Sequence, residues 1–198
     1  LTGQINYYMI GRLAEKLGFD AKTVTLRPVQ MVPNMIAAVQ SNQVDAAIAI
    51  ASMAKPLAAN GQAHIIGWIS DILPYQITAL FATERTITTR TDALHRFARA
   101  YRHGVADYRA TFLRLDAEGH PIVDATTDAA IPLITRYVFT GDPKARQKIL
   151  AGVGYYNPDG ALDVQDVLAQ FAWFKAQGLV KGDRDPNTLI DTSFLPAL

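Results

Sequence analysis

The chain has no cysteine. That one absence excludes disulfide staples, thiolate metal centres and cysteine nucleophiles together. It suits an oxidising compartment, where a free thiol is a liability. Long apolar runs are missing too. Val44 to Ala51, "VDAAIAIA", is the longest candidate and is strand-sized, far short of the roughly 18 to 20 residues a membrane helix needs. Clustered charge is also absent. The 19 basic and 18 acidic residues leave a net charge of +1, and the bases are spread along the chain. Phosphate backbones are held by a concentrated basic surface, so nucleic acid is not an expected partner. Neither the Gly-x-Ser-x-Gly elbow nor a glycine-rich phosphate cradle occurs. The four histidines, His64, His95, His103 and His120, lack the i, i+4 spacing of metal ligands. No metal, cofactor or catalytic residue is expected.

What is present is enough apolar material for a folded core: 49% hydrophobic against 19% charged over 198 residues. The first part alternates between helix and strand signals. Tyr7, Ile10, Leu13, Ala14 and Leu17 recur at helical spacing over Asn6 to Leu17, and Gly18 stops the helix. "TVTLRPV" (Thr23 to Val29) is β-branched and reads as a strand. Pro33 opens a helix carrying Met35, Ile36 and Val39. Val44 to Ala51 reads as a buried strand, with Asp45 a structural acid at its entrance. "MAKPLAANG" is helix-like, and Ala63 to Ile69 and Ile77 to Thr83 read as two more strands. Strands alternating with short helices predict an α/β layer structure.

After Thr83 the period changes. Leu94, Phe97, Tyr101, Val105, Tyr108, Phe112 and Leu115 step by three and four residues, which predicts a long amphipathic helix with an aromatic-rich core face. Helices follow over Thr127 to Phe139, over Pro143 to Leu150, and from Asp163 to a stop at Gly178, with Asp163 and Asp166 as a capping-box-like pair. "GYYNPDG" is a turn-rich joint.

In open α/β sheets ligands bind beyond the carboxyl ends of strands. Those ends are Gln30-Met31, Ser52-Met53 and Ser70-Asp71. The expected cleft draws on Thr2, Gly3 and Gln4, whose backbone N–H groups at a helix start suit an anion. Gln30 and Ser52 serve as orienting donors, and Met31, Met53, Trp68 and Tyr75 as apolar walls.

The order of pieces is itself informative. "YMIGRLAEKLGFDAKTVTLRPV", "MIAAVQSNQVDAAIAI", "ANGQAHIIGW" and "ITALFATERTI" followed by "TDALHRFARAYRHGVADY" resemble the substrate-binding proteins of nitrate, sulfonate and taurine importers and the thiamine-pyrimidine-precursor binders, the NMT1-like family. The closing "GLVKGDRDPNTLIDTSFLPAL" is similar to their C-terminus. The resemblance implies an α/β, type II periplasmic binding protein-like fold of two lobes. Residues 1–72 would form one α/β lobe, and residues 73–198 the hinge return, including "LPYQIT" (Leu73 to Thr78), with a helical part that packs on the other lobe. Relatives begin with about a hundred more residues, a domain's worth, so the N-terminal part of the first lobe is expected to be absent from this chain.

The implied function is non-enzymatic. An ABC importer's binding component would capture a small organic anion (sulfonate, carboxylate or pyrimidine-like) between its lobes and deliver it to a permease and ATPase. It would work in the periplasm or lipid-anchored on the extracellular face, meeting the membrane only through the permease. Where relatives carry a Trp-Glu-Pro-like stretch this chain has "ASMAKP", so Ser52 and Met53 replace a bulky acid and leave a roomier, less polar pocket. Two other readings of the same fold are a regulator's ligand-sensing domain and a pyrimidine-synthesis enzyme. The missing basic patch and the missing cysteines weigh against them.

Overall fold

A computed structural model describes residues 5–29 and 32–198, with the backbone alone described at Val32. Nine α-helices occur among the described residues: α1 (Ile5–Leu17), α2 (Val32–Gln40), α3 (Ala51–Ala59), α4 (Ile69–Ile72), α5 (Glu84–Thr89), α6 (Thr91–Phe112), α7 (Ala125–Thr135), α8 (Ala145–Ala151) and α9 (Val164–Ala176).

The helix ends follow local chemistry. Gly18 takes φ 75° after α1, and its N–H and that of Phe19 both return to the Ala14 carbonyl. Asp124 caps α7 in a full capping box with Thr127, an Asp-x-x-Thr spacing the hydrophobic pattern passes over. Asp163 accepts from the Asp166 N–H and caps α9. The Asp166 carboxylate does not complete the expected capping box. It accepts instead from the backbone N–H of Gln76 at 2.5 Å and from the Gln170 amide at 2.6 Å.

The helices associate in pairs. Tyr8, Met9 and Ala14 bury the inner face of α1, which packs on α4 and α9. Gly11 permits this. A Cβ there would lie 2.3 Å from the Trp173 ring, and that ring meets Tyr7, Tyr8 and Phe174 edge-on at centroid distances of 5.3–5.4 Å. The buried line of α6 is Ala98, Val105 and Phe112, one residue every two turns. Phe97 and Leu115, expected on that face, are exposed. α6 packs on α5, α7 and the 3₁₀ turn Pro158–Gly160, while α8 packs on α3 and α7.

The four segments expected as strands are not paired. Among the described residues the β-bridges are two isolated ones, Leu115 with Pro121 and Leu162 with Ala197, so the α/β sheet expected from the sequence is not formed here. Residues 25–29, 46–50, 63–68 and 73–83 run between helices without regular structure. The physical reason is that a strand is completed by a neighbour: apolar alternation creates a face but supplies no edge to pair with. Many of their side chains accordingly stand in solvent, Ile66 at 91% and Phe81 at 97% exposure, while Leu73 is buried. Asp45 is likewise exposed and, among the described residues, bonds no backbone neighbour.

Candidate functional site

Ser52 sits in the first turn of α3. The helix starts without a side-chain cap, and the N–H groups of Met53 and Ala54 both reach the Ile50 carbonyl at 3.0 Å. Pro56 lies inside the helix and has no N–H to offer the Ser52 carbonyl one turn back. Opposite stands Gly152, the residue after α8. A Cβ on Gly152 would meet the Ser52 Cβ and the Lys148 carbonyl oxygen at 3.2 Å each, so its absence lets α3 and α8 approach.

Around this contact lies a hollow of about 290 Å³. Ser52, Gly152, Val153 and Gly154 form one side, Ile134, Val138 and Phe139 another, and Tyr108, Tyr156, Lys148 and Ile149 complete it. The wall is mainly apolar and aromatic, with one ammonium group and two kinds of hydroxyl, a composition typical of small-molecule sites.

The polar groups are held in place. Lys148 pairs with Asp142 and its Nζ lies 5.5 Å from the Phe139 ring centroid. That ammonium, with the Lys144 N–H, holds the Asp142 carboxyl below the usual carboxylate range. The Tyr108 hydroxyl donates to the Gly154 carbonyl at 3.1 Å and accepts the Gly154 N–H at 3.0 Å. Burial pushes the Tyr108 phenol up, opposed by its bond to Gly154, so it stays neutral. Arg109 donates to the Tyr156 carbonyl and fixes the loop that carries the tyrosines.

Of the residues expected in the cleft, the structure brings Ser52 to this hollow. Met53, the next residue of α3, is half-buried and is not part of its lining. Trp68 precedes α4, with the Lys55 Nζ 5.9 Å from its ring centroid. Tyr75 lies in the segment fastened to α9, and burial raises its phenol above the ordinary value. Neither lines the Ser52 hollow. Thr2, Gly3, Gln4, Gln30 and Met31 lie outside the described residues. The partners that complete the hollow, above all Lys148 and Tyr108, come from the helical second half. Tyr108 stands in the aromatic stripe of the long helix and Gly154 and Tyr156 in the turn-rich run after α8, while Lys148 has no local signal.

Among the described residues no three His, Asp or Glu side chains gather as metal ligands would, and no helix is long and apolar enough to cross a membrane. Compared with known proteins, residues 1–111 match the model of the family described as NMT1/THI5 like. The chain belongs to the NMT1/THI5-like family. Membership implies a periplasmic-binding-like fold and is consistent with solute binding. The family match spans α1 to all but the last residue of α6, so it includes Ser52 and Tyr108 but not Lys148. No curated protein and no solved structure matches the chain.

Proposed function

We propose that this chain is the solute-binding component of an ABC importer, a non-enzymatic protein that takes a small organic anion with an apolar body. A sulfonate, a carboxylate or a pyrimidine-like acid fits that description. The observation that carries the reading is the Ser52 hollow. The Lys148 ammonium and the Ser52 hydroxyl share it with aromatic and aliphatic walls, so an anionic head has a counter-charge and its body an apolar lining. An anion there competes with Asp142 for Lys148. In this reading capture is by closure of two lobes about Leu73 to Thr78, without covalent chemistry. Delivery is to a permease and its ATPase, in the periplasm or at the extracellular face.

The test is calorimetric titration with 1-propanesulfonate and benzoate, on the wild type and on Lys148→Met. Binding should be saturable and should weaken about tenfold or more without the ammonium, the loss expected of a charge-assisted contact. Equal affinity of both proteins for both probes, or no binding by the wild type, overturns the assignment.

A further inference from the structure

On the far side of Tyr108 and Tyr156 lies a second hollow of about 230 Å³, lined by Tyr101, Gly104, Val105, Tyr108 and Tyr156. Tyr101 and Tyr108 are seven residues apart on α6, so they stand about two turns, or 10 Å, apart on one face. Between them Gly104 has no heavy atom within 4 Å of where its Cβ would be. A glycine in the middle of a long helix costs stability relative to alanine, and here no neighbour in the chain requires the gap.

Each ring around the gap has its own anchor. Tyr101 lies against Gly160, where a Cβ would come within 2.4 Å of the ring. Tyr108 is bonded twice to Gly154. Tyr156 packs on Tyr108 at 5.1 Å with the two planes 70° apart, and its carbonyl is held by Arg109. Burial raises the phenols of Tyr101 and Tyr108, so their rings stay uncharged and their faces electron-rich.

We infer that the tyrosine notch at Gly104 is a cage for the methylated ammonium head of a small solute. The choice of ligand follows from geometry. Tyr108 and Tyr156 meet as a corner, which turns ring faces toward the gap. A compact, weakly hydrated cation is drawn to ring faces, and a third tyrosine, Tyr101, lines the same hollow. The hollow has room for a trimethylammonium head. The nearby cations are committed elsewhere: Arg102 pairs with Asp159 at 2.9 Å, and Arg109 lies over Tyr155, 5.2 Å from its centroid. The inference stands apart from the anion reading of the Ser52 hollow.

The experiment titrates the whole chain with tetramethylammonium chloride, with sodium chloride and phenol as comparison probes. Tetramethylammonium should saturate with a Kd on the order of millimolar, and neither comparison probe should. Gly104→Leu puts a side chain into the gap and a better helix former into α6, so it should melt no lower than the wild type and bind about tenfold more weakly. Tyr101→Ala should weaken binding to a similar degree. Tetramethylammonium binding no better than sodium overturns the cage, as does undiminished binding by Gly104→Leu, or saturation by phenol alone. Capture of phosphatidylcholine vesicles without binding of tetramethylammonium overturns the assignment to a free solute.

Discussion

Asp124 shows how much one residue can organise. Its carboxylate accepts from both terminal nitrogens of Arg114, at 2.8 and 2.9 Å, and from the backbone N–H groups of Thr126 and Thr127. Thr127, its capping-box partner, is 1% exposed. The Arg114 guanidinium and these N–H groups hold the Asp124 carboxyl well below the usual carboxylate range. The sign of the pH effect follows. Where the folded pKa lies below the unfolded one, near 3.9, the contribution is fully present above that value and is lost as pH falls toward the folded pKa. Asp124→Asn keeps a good helix cap but loses the ion pair. Its urea midpoint should lie below the wild type's at pH 7, and the difference should shrink as pH drops below about 4. A gap of constant size from pH 7 to pH 2 would show that Asp124 acts through its shape alone.

Between elements, the segment from Leu73 to Thr78 is fastened rather than free. The Gln76 N–H goes to Asp166, its carbonyl accepts from the Gln170 amide at 2.7 Å, and its side-chain oxygen accepts the Asp163 N–H at 3.1 Å. A hinge at this place would open against α9. Asp166→Ala leaves the Gln76 N–H and one Gln170 proton unpaired, at a cost of about 1–3 kcal/mol. The Gln76 amide should then exchange with deuterium faster than the amides of α1, which lose no bond. Uniform acceleration in both places would mean a global loss of stability instead. The junction of α1 and α9 depends on Gly11 in a different way. Gly11→Ala drives a methyl into the Trp173 ring, and overpacking of that kind costs about 1–3 kcal/mol. Thermal unfolding measures it, and a melting temperature equal to the wild type's would mean that Trp173 moves aside freely.

For the whole molecule, the decisive quantity is surface. The chain exposes 13,928 Å² at 21.6 kDa, where a compact monomer of that mass exposes about 9,200 Å². Part of the excess is apolar and lies in the unpaired segments, at Ile50, Ile65, Ile66, Ile77, Leu80 and Phe81. Exposed side chains contribute little to folding, so Ile66→Ser with Phe81→Ser should change the unfolding free energy by about 0.5 kcal/mol or less. Binding of an apolar surface dye should fall in the same variant. A loss of several kcal/mol would show that these residues are buried in solution, as they would be in a paired sheet.

All the helices but the short α4 and α5 were legible from local pattern, because their hydrogen bonds close within four residues and their caps lie one turn away. Gly18, Pro33, Asp163 and Gly178 each mark an end that the structure places within a residue or two of expectation. The strand-like segments from Thr23 to Thr83 were just as legible as apolar runs, but a run does not name its neighbour. Pairing is a long-range property, and among the described residues no edge reaches them. The site divides along the same line. Ser52 could be picked out because it ends an apolar run. Lys148, Tyr108 and Gly154 join it only because α3 packs on α8 and α7 links α8 to α6, across about a hundred residues of sequence. Local spacing determined which segments coil and where they stop. Tertiary packing decided which side chains share a hollow, because that depends on helix approach distances set by glycines such as Gly11 and Gly152 and by rings such as Trp173.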